Sequence, residues 1–310
     1  MATAQRLSPV RVIPVGGKGP EDVVVARDGT VYTGLEDGRL LAIDPASGAV
    51  THVAATVGRP LGIELMPDGR LLVADAHEGL LLVDPADGAI EPLVTEIAGK
   101  PMVFCNNAAV ASNGDIWFSD SSTLHPIERW KNDLVENTRT GRLFCRGAGG
   151  SVTTVLGGLA FANGVALAAD ESFVCVAETT ARTVVRWWLK GPKAGSRDYL
   201  VTDLPGYPDN IARGSDGLIW VTIASPTEAI VSGLHHGPMA LRKAVTKLPD
   251  FLQPKPKQTV RVQAYGDDGR LVHDVHGDAT NFHMVTGVRE HDGQVWLGSL
   301  ETEVVGVIEL

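Results

Sequence analysis

The sequence lacks any stretch of about 18 apolar residues that could span a bilayer. Its opening, MATAQRLSPVRV, holds no apolar run of the length a signal peptide needs. A cytoplasmic protein with no membrane partner is expected. Basic charge is also in deficit. Lys and Arg number 27 against 37 Asp and Glu, a net charge of -10, and the cations are scattered. That excludes a counterion-releasing grip on nucleic acid and suits solubility or cation binding. Cys105, Cys145 and Cys175 are an odd count without CxxC spacing, which argues against a disulfide framework and against a thiolate zinc site. They read as small buried apolar residues. No GxSxG, HExxH, P-loop or dinucleotide fingerprint occurs, so serine hydrolases, zincins and nucleotide-dependent enzymes lose their usual signals. Long polar runs are missing too, and with 44% apolar residues the chain is globular rather than disordered.

What is abundant is glycine in turn dipeptides. The 35 glycines include those after Asp28, Asp68, Asn113, Asp216 and Asp292, each pair set between two short apolar stretches. That is the grammar of a β-hairpin. The phrase GIELMPDGRLLVAD (62–75) recurs as DVVVARDGTVYTG from Asp22, AAVASNGDIWFSD from Ala108, GVALAADESFVCVAE from Gly164, NIARGSDGLIWVT from Asn210 and GVREHDGQVWLGS from Gly287. The fourth copy turns at Asp170-Glu171. A second hairpin phrase follows most copies, as in GRLLAIDPASGAV (38–50), so each repeat holds four strands. The turns are 40, 45, 57, 46 and 76 residues apart, close to the roughly 40–50 residues of a propeller blade. Amphipathic helical periodicity is nearly absent, which disfavours an α/β barrel of this length. The reading is an all-β, six-bladed β-propeller with a central metal-binding channel, one domain over 1–310. VRVIPVGG (10–17), without a hairpin partner of its own, is expected to supply the outer strand of the last blade. Insertions fall near 121–140 and 224–258. The second carries His235, His236 and the Pro-rich FLQPKPKQ, and both are expected to wall or lid one face.

Counting back seven residues from each turn gives Glu21, Leu61, Asn106, Asn163, Asp209 and Val285. First strands line a propeller's channel, so these positions form a ring at one depth. Four of the six carry carboxylate or amide oxygens, and unpaired polar groups aimed into a narrow apolar channel are costly. Glu21, Asn106, Asn163 and Asp209 therefore suit one hard divalent cation, Ca²⁺ or Mg²⁺ before Zn²⁺. Met102, Phe104, Phe161, Tyr207 and Phe282 neighbour the ring positions and give the mouth an apolar, aromatic lining. His283, near the last inner strand, is a candidate proton shuttle. Asp75, Asp120 and Glu178 end the second strand of three blades, either as partners of the ring or as hairpin caps. Trp187 and Trp188 read as core and edge residues.

LAFANGVALAADESFVCVAETTARTVVRWWLKGPKAG with LPGYPDNIARGSDGLIWV (159–221) resembles the strictosidine synthase-like branch of the regucalcin, gluconolactonase and paraoxonase superfamily of six-bladed propellers. FCNNAAVASNGDIWFSDSS (104–122) and GVREHDGQVWLGSL agree with it. In lactonase members, the resemblance implies, a divalent cation, usually Ca²⁺, is held by residues that match Glu21 in GPEDV, Asn106 in FCNN, Asn163 in FANG and Asp209 in YPDN. Two departures stand out. Thr286 falls where the alkaloid-forming synthases have Glu, so strictosidine synthase activity is not expected, and Asn107 falls where many lactonases have Asp.

The expected function is hydrolysis of lactones or related esters with one divalent cation, Ca²⁺ first and Mg²⁺, Mn²⁺ or Zn²⁺ as alternatives. Asp209 or His283 would deprotonate a water for attack on a small-molecule substrate less polar than a sugar lactone. Two alternatives stay open: a non-hydrolytic propeller plugged by the metal, or a lyase or isomerase on the same ring. Oligomeric state is left open.

Overall fold

In the computed structural model the described residues are 4–6, 10–249, 256–278 and 281–310. Residues 251–255 of the FLQPKPKQ run lie outside them. Each repeat folds as four consecutive strands in one antiparallel sheet, because every tight turn returns the chain beside itself. The first four sheets are Val23–Val25 to Val50–Ala55, Pro60–Leu65 to Ile90–Val94, Cys105–Val110 to Val152–Leu159, and Ala162–Leu167 to Arg197–Val201. The fifth runs from Gly206–Arg213 to Leu271–Gly277. The sixth orders Val285–His291, Gln294–Ser299, Val304–Glu309 and Arg11–Pro14. This is a six-bladed β-propeller, and the early strand does close the last blade, Arg11 opposite Val307. Beyond the expectation, Ala4–Arg6 adds a fifth, parallel strand to the edge of blade five.

The core is divided as the blades are. Six buried apolar clusters each join two neighbouring blades, from Val24, Leu40, Ile63 and Leu71 between blades one and two to Ile13, Trp296, Val23 and Val31 between blades six and one. The ring therefore closes through packing as well as hydrogen bonds. Cys105 and Cys175 are buried and free, as the sequence implied; Cys145 is half-buried and free. Trp187 and Trp188 alternate across one strand, and each packs on a different inter-blade core.

Both insertions fold into short helices. Residues 121–140 carry a 3-10 turn, Ile127–Arg129, and α1 (Trp130–Glu136). The longer insertion carries α2 (Ala229–His235) and α3 (Met239–Val245). Arg242 fastens the three helices by donating to the carbonyls of Glu136 at 2.9 Å, Leu234 at 3.1 Å, His235 at 2.6 Å and Gly237 at 3.0 Å. His235 adds a contact to Leu134 O at 2.8 Å. No helix among the described residues is long and apolar enough to cross a membrane.

Five of the six inner strands share one irregularity. Their ladders break between Pro60 and Gly62, Cys105 and Ala108, Ala162 and Val165, Pro208 and Ile211, and Val285 and Val288. A bulge re-aims the side chains it carries, and in blades three to five it holds Asn106, Asn163 and Asp209. In blade six it holds Thr286 and Gly287, so the ring position there is Thr286 and not Val285. The cause is a tighter hairpin: His291 pairs directly with Gln294 around Asp292-Gly293, which shortens the count from turn to ring.

Candidate metal centre

Glu21, Asn106, Asn163 and Asp209 all line one cavity that opens to solvent. Glu21 enters just ahead of the first strand of blade one, its N–H donating to Gly34 O at 3.3 Å; the other three ride on the bulges. Glu21, Asn106 and Asn163 are buried, and Asp209 is partly buried. Leu61 and Thr286 complete the circuit without offering a carboxylate or amide. Leu61 faces the cavity, and Thr286 turns its hydroxyl to Glu21 O at 2.8 Å.

The electrostatics are those of a site short of positive charge. Burial first, and then the charges of Asp209 and Asp22, push the Glu21 carboxyl well above its ordinary value. Burial pushes Asp209 up to about 7, opposed by a hydrogen bond from Asn163. The amides are equally unsatisfied: Asn106 Oδ1 and Asn163 Oδ1 are buried and accept no hydrogen bond among the described residues, while Asn163 Nδ2 is engaged by Thr179 Oγ1 at 3.2 Å. Two orphaned acceptors and two carboxyls held above their ordinary range in one cavity fit a divalent cation with oxygen ligands. Among the described residues no group of three or more His, Cys, Asp or Glu side chains could hold a metal, consistent with a donor set made half of amides.

Of the expected lining residues the structure brings three to the cavity. Phe104 and Phe161 meet edge to face at 5.3 Å, and Tyr207 OH accepts the Glu228 N–H at 3.3 Å. Met102 turns instead into the core between blades two and three, and Phe282 into that between blades five and six. His283 does not line the cavity; its Nε2 lies 3.2 Å from Gln258 Nε2 and 3.5 Å from Glu301. Asp75, Asp120 and Glu178 cap their own blades, accepting the N–H of Arg59, Phe104 and Ala160 at 3.0, 3.0 and 2.8 Å.

The sequence reading missed the walls in detail. Ile127, Trp130, Leu134 and Val135 from the first insertion and Val231 from α2 line the cavity, as do Met284 and Leu300. Spacings of three and four between Ile127, Trp130 and Leu134 were the available signal. Phe161 and Met284, both on the wall, hold φ of +63° and +52°, a region that costs a bulky side chain energy and that clusters at functional sites.

A family model described as SMP-30/Gluconolactonase/LRE-like region matches residues 23–233, and one described as strictosidine synthase-like, N-terminal, matches residues 1–43. The chain belongs to the SMP-30/gluconolactonase/LRE-like family, in its strictosidine synthase-like branch. It is 34% identical over 329 residues to strictosidine synthase-like protein 10 of Arabidopsis thaliana, covering 95% of this chain and 86% of the relative. It is 32% identical over 320 residues to the adipocyte plasma membrane-associated protein of Salmo salar, covering 94% and 76%. Among solved structures, the calcium-binding protein regucalcin of Agrobacterium tumefaciens superposes with a TM-score of 0.69 at 14% identity, covering 99% of this chain and 95% of that one. The last likeness is one of fold.

Proposed function

We propose that the protein is a divalent-cation-dependent hydrolase of lactones or related esters with apolar substituents, Ca²⁺ being the first candidate ion. The observation that carries the reading is the pair of orphaned amide oxygens, Asn106 Oδ1 and Asn163 Oδ1, beside Glu21 and Asp209 in one cavity. Glu21, Asn106, Asn163 and Asp209 would hold the ion. When bound, it supplies a Lewis acid for the substrate carbonyl oxygen and charge to offset the oxyanion. Asp209 takes the proton of an attacking water, whose oxygen bonds to the carbonyl carbon. As the C–O bond to the leaving oxygen breaks, that proton passes to it. Phe104, Phe161 and Trp130 pack the apolar part of the ester and keep bulk water from the carbonyl. His283, turned to Gln258 and Glu301, is given no step. The gluconolactonase-like family and the calcium-binding fold neighbour support the reading.

The test is a panel of lactones and aryl esters assayed with calcium-loaded and chelator-treated protein. The reading expects hydrolysis only with the ion, and faster hydrolysis of apolar than of sugar lactones. Equal rates with and without chelator contradict it. The calcium-binding neighbour also favours a second reading, in which the ion is a structural plug and no ester is turned over. A large chelator-induced fall in melting temperature without turnover selects that one.

A further inference from the structure

One residue beyond each ring position, the axis alternates between polar side chains and glycine: Asp22, Gly62, Asn107, Gly164, Asn210, Gly287. The polar residues come from blades one, three and five, the glycines from two, four and six. A Cβ on Gly62 would stand 2.6 Å from Cα of Asn107, one on Gly164 2.6 Å from Cα of Asn210, and one on Gly287 2.6 Å from Cα of Asp22. Glycine is thus required there by close approach. It lets three side chains meet on the axis. Asn107 Nδ2 donates to Asp22 Oδ2 and to Asn210 Oδ1, both at 3.1 Å, and Asn210 Nδ2 donates to Glu21 Oε2 at 3.0 Å. All three are buried.

Fixed donors decide which end of each amide points where. The backbone N–H of Val165 can only donate, and it donates to Asn107 Oδ1 at 2.9 Å. Asn107 must therefore present its NH₂ to the axis. Asp22 meets it as an acceptor, already taking the N–H groups of Val23 at 2.9 Å and Ile63 at 3.2 Å. Asn210, facing the same NH₂, must turn Oδ1 toward it, which leaves its own NH₂ for Glu21. Polarity passes in this way from a strand N–H in blade four to one carboxylate oxygen in blade one. Glu21 Oε2 is held, and Oε1 is left for the cavity.

We propose that Asn107 and Asn210 are positioning residues of the cation ring, whose ordered amides fix the orientation of Glu21 so that one carboxylate oxygen stays available to the ion. The proposal rests on reading the ring as a cation site. Among the described residues Asn107 forms no hydrogen bond with the four ring side chains, so its hydrogen-bonded route to Glu21 runs through Asn210, beside the charge of Asp22, which it also holds.

The test is calorimetric titration with CaCl₂ of the wild type, Asn107→Leu and Asn210→Leu, with Thr222→Val as a control. Thr222 is equally buried, but its hydroxyl donates at 3.1 Å to the backbone carbonyls of Asn210 and Thr286 and not to the amide chain. Removing the partner that orients a ligand typically weakens metal affinity 10- to 100-fold. We expect that loss in both Leu variants and a change of less than about twofold in Thr222→Val, since its hydroxyl meets backbone carbonyls and neither side-chain amide of the relay. Unchanged affinity in Asn107→Leu overturns the proposal and leaves the ring standing; no binding by the wild type overturns the ring and the proposal together. Should the Leu variants fold poorly, the side-chain amide resonances of the wild type decide. Those of Asn107 and Asn210 must both shift on adding CaCl₂, and a response confined to Asn106 and Asn163 overturns the relay.

Discussion

At the scale of single residues, the two carboxylates and the two amides of the ring are not equivalent. Glu21 and Asp209 carry the only formal charges among the four, so removing either leaves a divalent ion poorly neutralised in a buried cavity. Glu21→Ala and Asp209→Ala should each abolish calcium retention and ester hydrolysis, measured by elemental analysis and initial rates. Asn106→Ala removes a neutral donor that water can replace, and should weaken calcium binding without abolishing it. The ring residues were legible in the sequence because the hairpin turns count back to them. Met102 and Phe282 neighbour the ring in sequence yet turn away from the cavity, because adjacency in sequence does not fix side. Successive residues of a strand point to opposite faces, and the bulges add a shift that no local signal announces.

At the scale of elements, the six hairpins were readable because each turn is a local event, five with an Asp-Gly or Asn-Gly signature and the fourth with Asp170-Glu171. The register of blade six was not, since it depends on whether the hairpin closes over two residues or more. The lid helices were hidden for another reason. At seven residues each, α1, α2 and α3 are too short to be stable alone, so packing on the cavity and on one another must hold them. Arg242 concentrates that packing in four charge-assisted hydrogen bonds. Arg242→Ala should free α2 and α3 from α1 and raise KM for apolar esters roughly tenfold, the equivalent of one hydrogen bond to a charged group. The propeller's melting temperature should hardly move, because the inter-blade cores do not include Arg242. A fall in melting temperature with KM unchanged would show that the three helices brace the fold instead of covering the cavity.

At the scale of the whole molecule, the cavity couples stability to pH and, on the proposed function, to the ion. Without a cation, burial and the charges of neighbouring carboxylates, Asp22 among them, raise the Glu21 and Asp209 carboxyls above the value near 4 they take in an unfolded chain. A folded state that holds protons the unfolded chain has released loses stability as pH rises. The contribution is therefore present in full below about pH 4 and is lost as pH climbs toward about 7, where Asp209 ionises. Chelator-treated protein should melt several degrees lower at pH 8 than at pH 5, and saturating CaCl₂ should remove or reverse that slope, since the ion binds the ionised carboxylates. The same slope with and without calcium would mean that the carboxylates do not meet the ion. The central claim is that four oxygens from four blades hold one divalent cation, and equilibrium dialysis against CaCl₂ tests it most directly. The account predicts one ion per chain in the wild type and none in Glu21→Ala or Asp209→Ala; a wild type that retains no calcium, or variants that retain it in full, would contradict it.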